Sequence, residues 1–531
     1  MLSELIVRPA FVAPAILTLY FTISWLRRSS SLPNVPIIGA RDGDWLPMIQ
    51  ARWRNTRDFK TALELAYASG RPALVPVAGE GDIVLLPPEE AKFIADQPDS
   101  VLGFSERAFE AFQVDHTFVD PTITRIALSE NLLRDKLTPE IGNLVSDLAT
   151  EASWALETYW GGPDATQEWR EVCVFETMRH IVGNVTNRAF VGLPACRDPE
   201  LVNNGMAFAI DIPLTSTLVK LVPKLLRPLL APVITIPNRI HTQRFRNIVL
   251  SQIQSRLLDW DERHQNDLKP TSSPAEGEPN DLLQWSIQQA KAGGDPYMWQ
   301  PNTLADRLLV VNFASIHTTS FVSTELVLDL VSSKAEYIDE IRDEIKSVLA
   351  THGGQWNKRA LSKLEKLDSA LRESARYSST LSTGLARVVV AEEGIVTPSG
   401  VHLPRGTKVS VPALCIMQSE KKYPGADSFY PFRFSDKGKD PLEAKGGSDG
   451  HVRPARNAFP STDPDFLVFG HGKHACPGRF FAAAELKLIM ADALLKYDFE
   501  MLPEKPKGSW FGVTKIPPLA ANIKVRRRKE I

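Results

Sequence analysis

Apolar residues recur with helical spacing through much of residues 139–350, which predicts a body built mainly of packed helices. The longest such run, LADRLLVVNFASIHTTSFVSTELVLDLVS at 304–332, is apolar nearly all round and almost free of breakers, so it is expected to run through the core. Its middle is interrupted by Ala314, Ser315, His317, Thr318 and Thr319. Such a cluster either back-bonds to its own turn or faces something polar. Elsewhere the pattern shortens. ALVPVAGEGDIVLLPP (73–88) has apolar runs on either side of Gly79 and Gly81 and predicts a hairpin, while PEEAKFIAD (88–96) opens a helix with acids in its first turn. Short strand signals return at 386–412 with Gly394, Gly400 and Gly406 as turn residues. NDLKPTSSPAEGEPN (266–280) reads as a flexible surface loop by composition, and no internal repeat is present. The expected fold is mainly α with a minor β region.

Two stretches point to a membrane. Residues 11–26, FVAPAILTLYFTISWL, are uncharged and followed at once by Arg27 and Arg28; with Leu5, Ile6 and Val7 the segment reaches the about 20 residues a spanning helix needs. Its stronger positive charge lies after the apolar run, the reverse of a cleaved signal, so a retained anchor over 1–28 with the body on the cytosolic side is expected. The alternative is a buried or interfacial helix. Residues 29–39 follow as a linker that Pro33 and Pro36 stiffen and Gly39 releases. Residues 213–237, PLTSTLVKLVPKLLRPLLAPVITIP, are apolar with Lys220, Lys224 and Arg227 interspersed and too many prolines for a spanning helix. They read either as a proline-broken helix pair in the core or as a surface that dips into the same membrane.

With 531 residues, 43% apolar and 23% charged, most of the chain is globular, and length alone suggests several domains. A net charge of -2 gives no reason to expect nucleic acid as a partner, and the basic tail of Lys524, Arg526, Arg527, Arg528 and Lys529 reads as a solvated terminus. Only Cys173, Cys196, Cys415 and Cys476 occur, none in a C-x-x-C pair, which argues against a disulfide scaffold or a thiolate-clustered zinc or iron-sulfur site.

Cys476 lies in FGHGKHACPG (469–478), followed by the apolar-periodic RFFAAAELKLIMADALLKY. It is placed at a helix N-terminus, where free amides and the positive dipole end favour a thiolate. Gly470, Gly472 and Gly478 clear side chains from the approach, so something large and flat can lie against the loop; a single thiolate presented this way suits an axial bond to haem iron.

The pattern F-x-x-G-x-[HR]-x-C-x-G, filled by Phe469, Gly472, His474, Cys476 and Gly478, resembles the haem-binding loop of the cytochrome P450 family. The resemblance implies haem b (iron protoporphyrin IX) with Cys476 as axial thiolate and metal ligand, Phe469 packed near the sulfur, and His474 in place of the usual arginine on a haem propionate. ESAR (373–376) puts Glu373 and Arg376 on one helix face, which alone is common surface decoration. Within the family it matches E-x-x-R, and Arg433 in FYPFRF falls where a second arginine completes a structural Glu-Arg-Arg network. The polar middle of 304–332 resembles the oxygen-binding segment of the distal helix. Thr318 takes the place of its catalytic threonine, Thr319 follows it, His317 stands where an acid is usual, and Ser315 replaces a glycine. That form of the segment, FGHGKHACPGRFFA and NRAFVG (187–192) are similar to fungal members that oxidise terpenoids and related secondary metabolites. The family's W-x-x-x-R is not apparent at 125–140, which leaves the early-helix propionate partner open.

The resemblance covers the chain from anchor to cysteine loop, and so implies one catalytic domain over 40–531. It implies a monooxygenase that uses O2 to hydroxylate, or oxidise in successive steps, a lipophilic terpenoid, indole terpenoid or polyketide. No dinucleotide-binding glycine fingerprint is present, so electrons are expected from NADPH through a separate cytochrome P450 reductase, with cytochrome b5 as a further partner, at the endoplasmic reticulum membrane. Lys473 and Lys487 are candidates for meeting an acidic redox partner, or simply solvated charges. Substrate contacts are expected from Phe109–Phe118, the segment around Phe313, and Thr380–Leu385. Alternatives are an isomerase, dehydratase or desaturase on the same haem, a membrane protein that binds haem or lipid without turnover, and a non-haem cysteine hydrolase using Cys476 with His474.

Overall fold

The computed structural model describes residues 33–164, 168–264, 278–435 and 457–529. The predicted anchor over 1–28, the start of the linker and most of the 266–280 break lie outside the described residues. The described chain forms two compact units, one from residues up to Arg107 with Leu385–Pro412, the other from Ala108–Gly384 with Ala413 onward.

The smaller unit holds helices α1 (Pro47–Arg57) and α2 (Phe59–Ala68) and a five-stranded sheet of β1 (Ala73–Val77), β2 (Gly81–Leu85), β3 (Leu102–Gly103), β4 (Gly384–Val389) and β5 (Lys408–Val411), in the order β1-β2-β5-β4-β3. The hairpin expected over 73–88 is β1 and β2, paired antiparallel from Ala73↔Leu85 to Val77↔Gly81. Its turn uses Gly79 at φ 78 and Gly81 at φ 86, a left-handed region that favours glycine. Pro76 is tolerated in β1 because the strand lies at the sheet edge, where linker residues 36–38 pair with it: Leu74 N donates to Pro36 O at 2.8 Å and Ile38 N to Leu74 O at 2.8 Å.

The larger unit is helical. After α3 (Phe104–Phe112), whose residues up to Arg107 belong to the smaller unit, its main helices are α4 (Thr138–Trp160), α5 (Val174–Phe190), α6 (Pro199–Leu221), α7 (Arg227–Ile234), α8 (Ile236–Arg263), α9 (Pro301–Val331), α10 (Ala335–Thr351), α11 (Glu365–Tyr377) and α12 (Arg479–Lys496). The 31-residue α9 is the expected central helix, begun by Pro301 in its first turn and packed against α5, α6, α8, α11 and α12. Its buried acids are compensated rather than exposed. Asp306 pairs with Arg246, and Asp329 and Glu325 each lie 2.6 Å from Lys505 Nζ, with Ser374 and Ser378 also donating to Asp329.

Two expectations are corrected here. The basic tail is not a solvated terminus: Asn522–Arg527 is the central strand of a three-stranded sheet, between Arg170–Cys173 and Tyr497–Phe499. Arg527 is buried with its guanidinium 3.2 Å from Glu157, while Arg526 and Arg528 pair with Asp498. Nor is 213–237 a core pair. The end of α6 and the start of α7 are bent by 118°, and Leu225, Leu229 and Val233 are 74%, 72% and 64% exposed, with Leu214, Leu218 and Leu221 continuing the same apolar surface. Among the described residues no single helix is long and apolar enough to cross a membrane.

Candidate functional site

The cysteine loop is a tight backbone structure. Cys476 N donates to Phe469 O at 2.8 Å, Ala475 N to Gly472 O at 3.1 Å, and Gly470 N to Leu467 O at 2.8 Å. Gly470 (φ 69) and Gly472 (φ 72) supply the left-handed turns; at Gly470 a Cβ would also meet His474 O at 3.4 Å. Gly478 then caps α12, so Cys476 stands two residues ahead of a helix N-terminus, as its sequence surroundings imply. Burial pushes the Cys476 thiol up, while the amides of Gly478 and Arg479 and the Arg479 charge pull it back toward the thiolate. Arg479 also donates to Cys476 O at 2.8 Å, and a Cβ on Gly478 would sit 4.0 Å from the sulfur. Phe469 packs edge-on against Phe459, ring centroids 5.0 Å apart. His474 ends the short turn Gly472–His474 and is half-buried. Among the described residues no group of three or more His, Cys, Asp or Glu side chains is placed to hold a metal ion.

Midway along α9 the burial pattern breaks. Ala314 and Thr318, one turn apart on one face, are exposed within a helix that is otherwise mostly buried. The Thr318 hydroxyl donates to Ala314 O at 2.9 Å, and Thr319 turns into the core. His317 tilts against Phe321 with ring centroids 4.2 Å apart, and its buried Nδ1 has no hydrogen-bond partner. Burial lowers its pKa to about 4, so the ring is neutral at pH 7.

Glu373, Arg376 and Arg433 meet in one cluster. Arg376 forks onto Glu373, Nε to Oε2 at 2.8 Å and Nη2 to Oε1 at 2.9 Å, and Arg433 Nε reaches Oε1 at 3.0 Å. Glu373 and Arg376 are fully buried. Their remaining capacity is used on the backbone of 417–430: Arg376 donates to Met417 O and Ala426 O, Arg433 to Pro424 O and Gly425 O, and Tyr430 N donates to Glu373.

Part of the predicted substrate region is an aromatic cluster. Phe313, beside Ala314 on α9, takes Phe112 (5.5 Å), Phe208 (6.3 Å) and Phe118 (6.5 Å) edge-on around it, and Phe118 meets Phe208 at 5.7 Å. Phe208, in the middle of α6, carries no signal in the sequence that distinguishes it from any other core aromatic. In the Thr380–Leu385 segment Ser382 donates to Val513 O. Lys487 requires a correction: it is buried, 2.6 Å from Asp368, and donates to Leu361 O at 3.1 Å, so it cannot meet a partner protein. Lys473 is exposed.

Sequence reading also missed Glu485 on α12. Its Oε1 accepts from Thr186 Oγ1 at 2.6 Å, its Oε2 is buried without a partner, and burial pushes its pKa up to about 8. Between the ordinary carboxylate value and that pKa the folded state holds a proton the unfolded chain has released. Stability is therefore full at low pH and lost as pH rises through this window. Glu485→Gln, which cannot ionise, is expected to melt like the wild type at pH 5 and to be more stable at pH 8, by on the order of 2 kcal/mol. Thermal melts at the two pH values check this; an equal difference at both would mean that the proton is not the cause.

Comparison with known proteins completes the picture. The sequence model of the family described as Cytochrome P450 matches residues 200–520. The chain is 30% identical to cytochrome P450 monooxygenase gloP of Glarea lozoyensis, over 92% of this chain and 90% of that one. It is 32% identical to monooxygenase olcJ of Penicillium canescens over 76% and 71%, and 30% identical to monooxygenase AN1598 of Emericella nidulans over 97% and 91%. A lone cysteine at a helix N-terminus, a long core helix with an exposed polar middle, and relatives of this kind along nearly the whole chain lead to one conclusion: the chain belongs to the cytochrome P450 family, as a monooxygenase whose cofactor is haem b on an axial cysteine thiolate.

Proposed function

We propose that this monooxygenase takes electrons from NADPH through a separate reductase and oxidises a lipophilic secondary metabolite of the terpenoid, indole terpenoid or polyketide kind. The observation that carries the reading is the pairing of the Cys476 loop with the exposed Ala314–Thr318 face of α9, on two helices that pack together in one unit. Cys476 is the axial ligand: burial raises its thiol, the amides of Gly478 and Arg479 and the Arg479 guanidinium oppose that shift, and bonding to the metal would complete the deprotonation, while the glycines at 470, 472 and 478 leave the loop backbone open to a flat group. Phe469 shields the sulfur and His474 lies on the same loop for a propionate. Glu373, Arg376 and Arg433 fix the surrounding backbone. When bound, haem supplies the reductive activation of dioxygen and the oxidant for an unactivated C–H bond.

The chain's own part is binding, orientation and proton handling. The Phe112, Phe118, Phe208 and Phe313 rings exclude water and favour an apolar substrate. The Thr318 hydroxyl, now donating to Ala314 O, can release that carbonyl and offer its proton toward the exposed side of the helix. His317 is neutral at pH 7, so its part in proton handling is that of a neutral imidazole rather than a standing cation, and Thr319 supports the turn from the core side. Residues 40–531 act as one catalytic domain, held at the endoplasmic reticulum by the 1–28 anchor through the 29–39 linker. From Ile212 to Leu258 every charged residue is basic, Lys220, Lys224, Arg227 and Arg239 among them, which suits the exposed apolar bend to an anionic lipid surface.

The test is reconstitution with NADPH and a fungal reductase, screening apolar terpenoids and polyketides for products that have gained oxygen. Turnover without reductase would favour the isomerase or dehydratase reading, and reductase-dependent product that has lost two hydrogens and gained no oxygen the desaturase reading. In the same assay Thr318→Ala is expected to keep consuming NADPH while product per NADPH falls about tenfold. An unchanged ratio would remove Thr318 from proton delivery.

A further inference from the structure

Arg227 is the first residue of α7, beside the 118° bend that follows α6. Its guanidinium donates to three acceptors. Nε donates to Val222 O at 3.0 Å and Nη2 to Lys220 O at 3.2 Å, closing the end of α6, and Nη1 donates to Gln113 Oε1 at 3.1 Å. Gln113 is a non-glycine residue at φ 49, ψ 46, a left-handed conformation that L side chains seldom take, and it is buried. Its own amide donates to Glu110 O at 2.7 Å, so both ends of the side chain are tied. The residue before it is Phe112, whose ring stands edge-on against Phe313 on α9. The same turn is held further along: Thr117 Oγ1 donates to Phe112 O at 2.8 Å, and the fully buried Asn238 of α8 donates to Thr117 O at 3.1 Å.

We propose that Arg227 is a positioning residue that acts through Gln113. It links the exposed apolar bend to the strained turn that aims Phe112, and thereby sets how tightly the aromatic cluster closes beside the exposed face of α9. The bend and the cluster are then one mechanical element, and a shift at the start of α7 is carried through Gln113 to the Phe112 ring. Charge alone does not make this link, since a planar fork is needed to hold two carbonyls and an amide oxygen at once. The proposal rests on the reading that this face of α9 lines the haem and substrate site.

The test uses the full-length ferric holoenzyme in phospholipid nanodiscs and two haem-binding probes, imidazole and 4-phenylimidazole, mixed by stopped flow. Arg227→Met is expected to raise the association and dissociation rates of 4-phenylimidazole by about tenfold and to leave those of imidazole within about twofold. Gln113→Ala is expected to do the same, and the double variant to go no further than either single one, because both remove one link. Arg227→Lys keeps the charge but loses the fork, and should behave like Arg227→Met. If Arg227→Met does not fold, Gln113→Ala and Gln113→Leu carry the test, both expected to speed 4-phenylimidazole selectively because both remove the acceptor of Arg227. Equal acceleration of both probes, additive single effects, or no effect in any variant would overturn the proposal. If the wild type shows no azole-induced shift of a haem band, the haem reading itself is wrong and the proposal falls with it.

Discussion

Cys476→Ser is expected to abolish the red-shifted Soret band that the reduced, carbon-monoxide-treated wild type shows, while its far-ultraviolet circular dichroism stays that of the wild type. A metal-bound thiol is deprotonated outright, and sulfur is the donor whose electron density moves that band; a serine hydroxyl in the same loop is neither soft nor readily ionised. The loop hydrogen bonds are made by backbone atoms and do not require the sulfur, so the fold survives the exchange. The other three cysteines are poor substitutes. Cys196 is buried with its thiol pushed up to about 12, Cys173 donates to Leu519 O at 3.2 Å, and Cys415 lies on the short helix Ala413–Met417 away from any helix N-terminus that opens on glycines. A band retained in Cys476→Ser and lost in one of those positions would reassign the ligand.

Glu373→Ala is expected to be the most destabilising single change in the helical unit, lowering the unfolding free energy by about 3–5 kcal/mol. The reason is asymmetry: one carboxylate answers two guanidiniums and a backbone amide, and its removal leaves the fully buried Arg376 as an uncompensated charge. Arg433→Met, by contrast, should cost only about 1–2 kcal/mol, because Glu373 keeps its two bonds to Arg376 and Arg433 is the outer member of the cluster. Urea titrations of the two variants in detergent decide it. Equal midpoint losses would mean that the carboxylate is not the hub and that the segment 417–430 is held by its own packing.

What the sequence made legible was chemistry written in short stretches. The spacing of glycines around Cys476, the three-residue step from Glu373 to Arg376, and the polar interruption of 304–332 each depend on neighbours within a turn or two, and the structure places them on the expected loop and helices. What it hid depends on partners far away in the chain. Lys487 looked like a surface charge because nothing near it announces Asp368, more than a hundred positions earlier, as its mate. The basic residues near the C-terminus looked solvated because a strand that finds its neighbours at Arg170–Cys173 and Tyr497–Phe499 leaves no mark of those pairings in its own composition. Glu485 sits in an apolar helix as an ordinary helix former would; only the placement of Thr186 shows it to be a buried acid. The aromatic cluster is assembled from α3, the turn after it, α6 and α9, and no local pattern predicts which phenylalanines will meet.

The outward-facing leucines of α6 and α7 also govern how the chain behaves as a colloid. Their exposure belongs to the folded body itself, so a chain shortened by residues 1–28 keeps a greasy face that water does not wet well. Such a body is expected to self-associate with rising concentration, to stick to lipid vesicles through a patch it cannot fold away, and to need detergent or acidic substitutions at Leu225 and Leu229 before it stays dispersed.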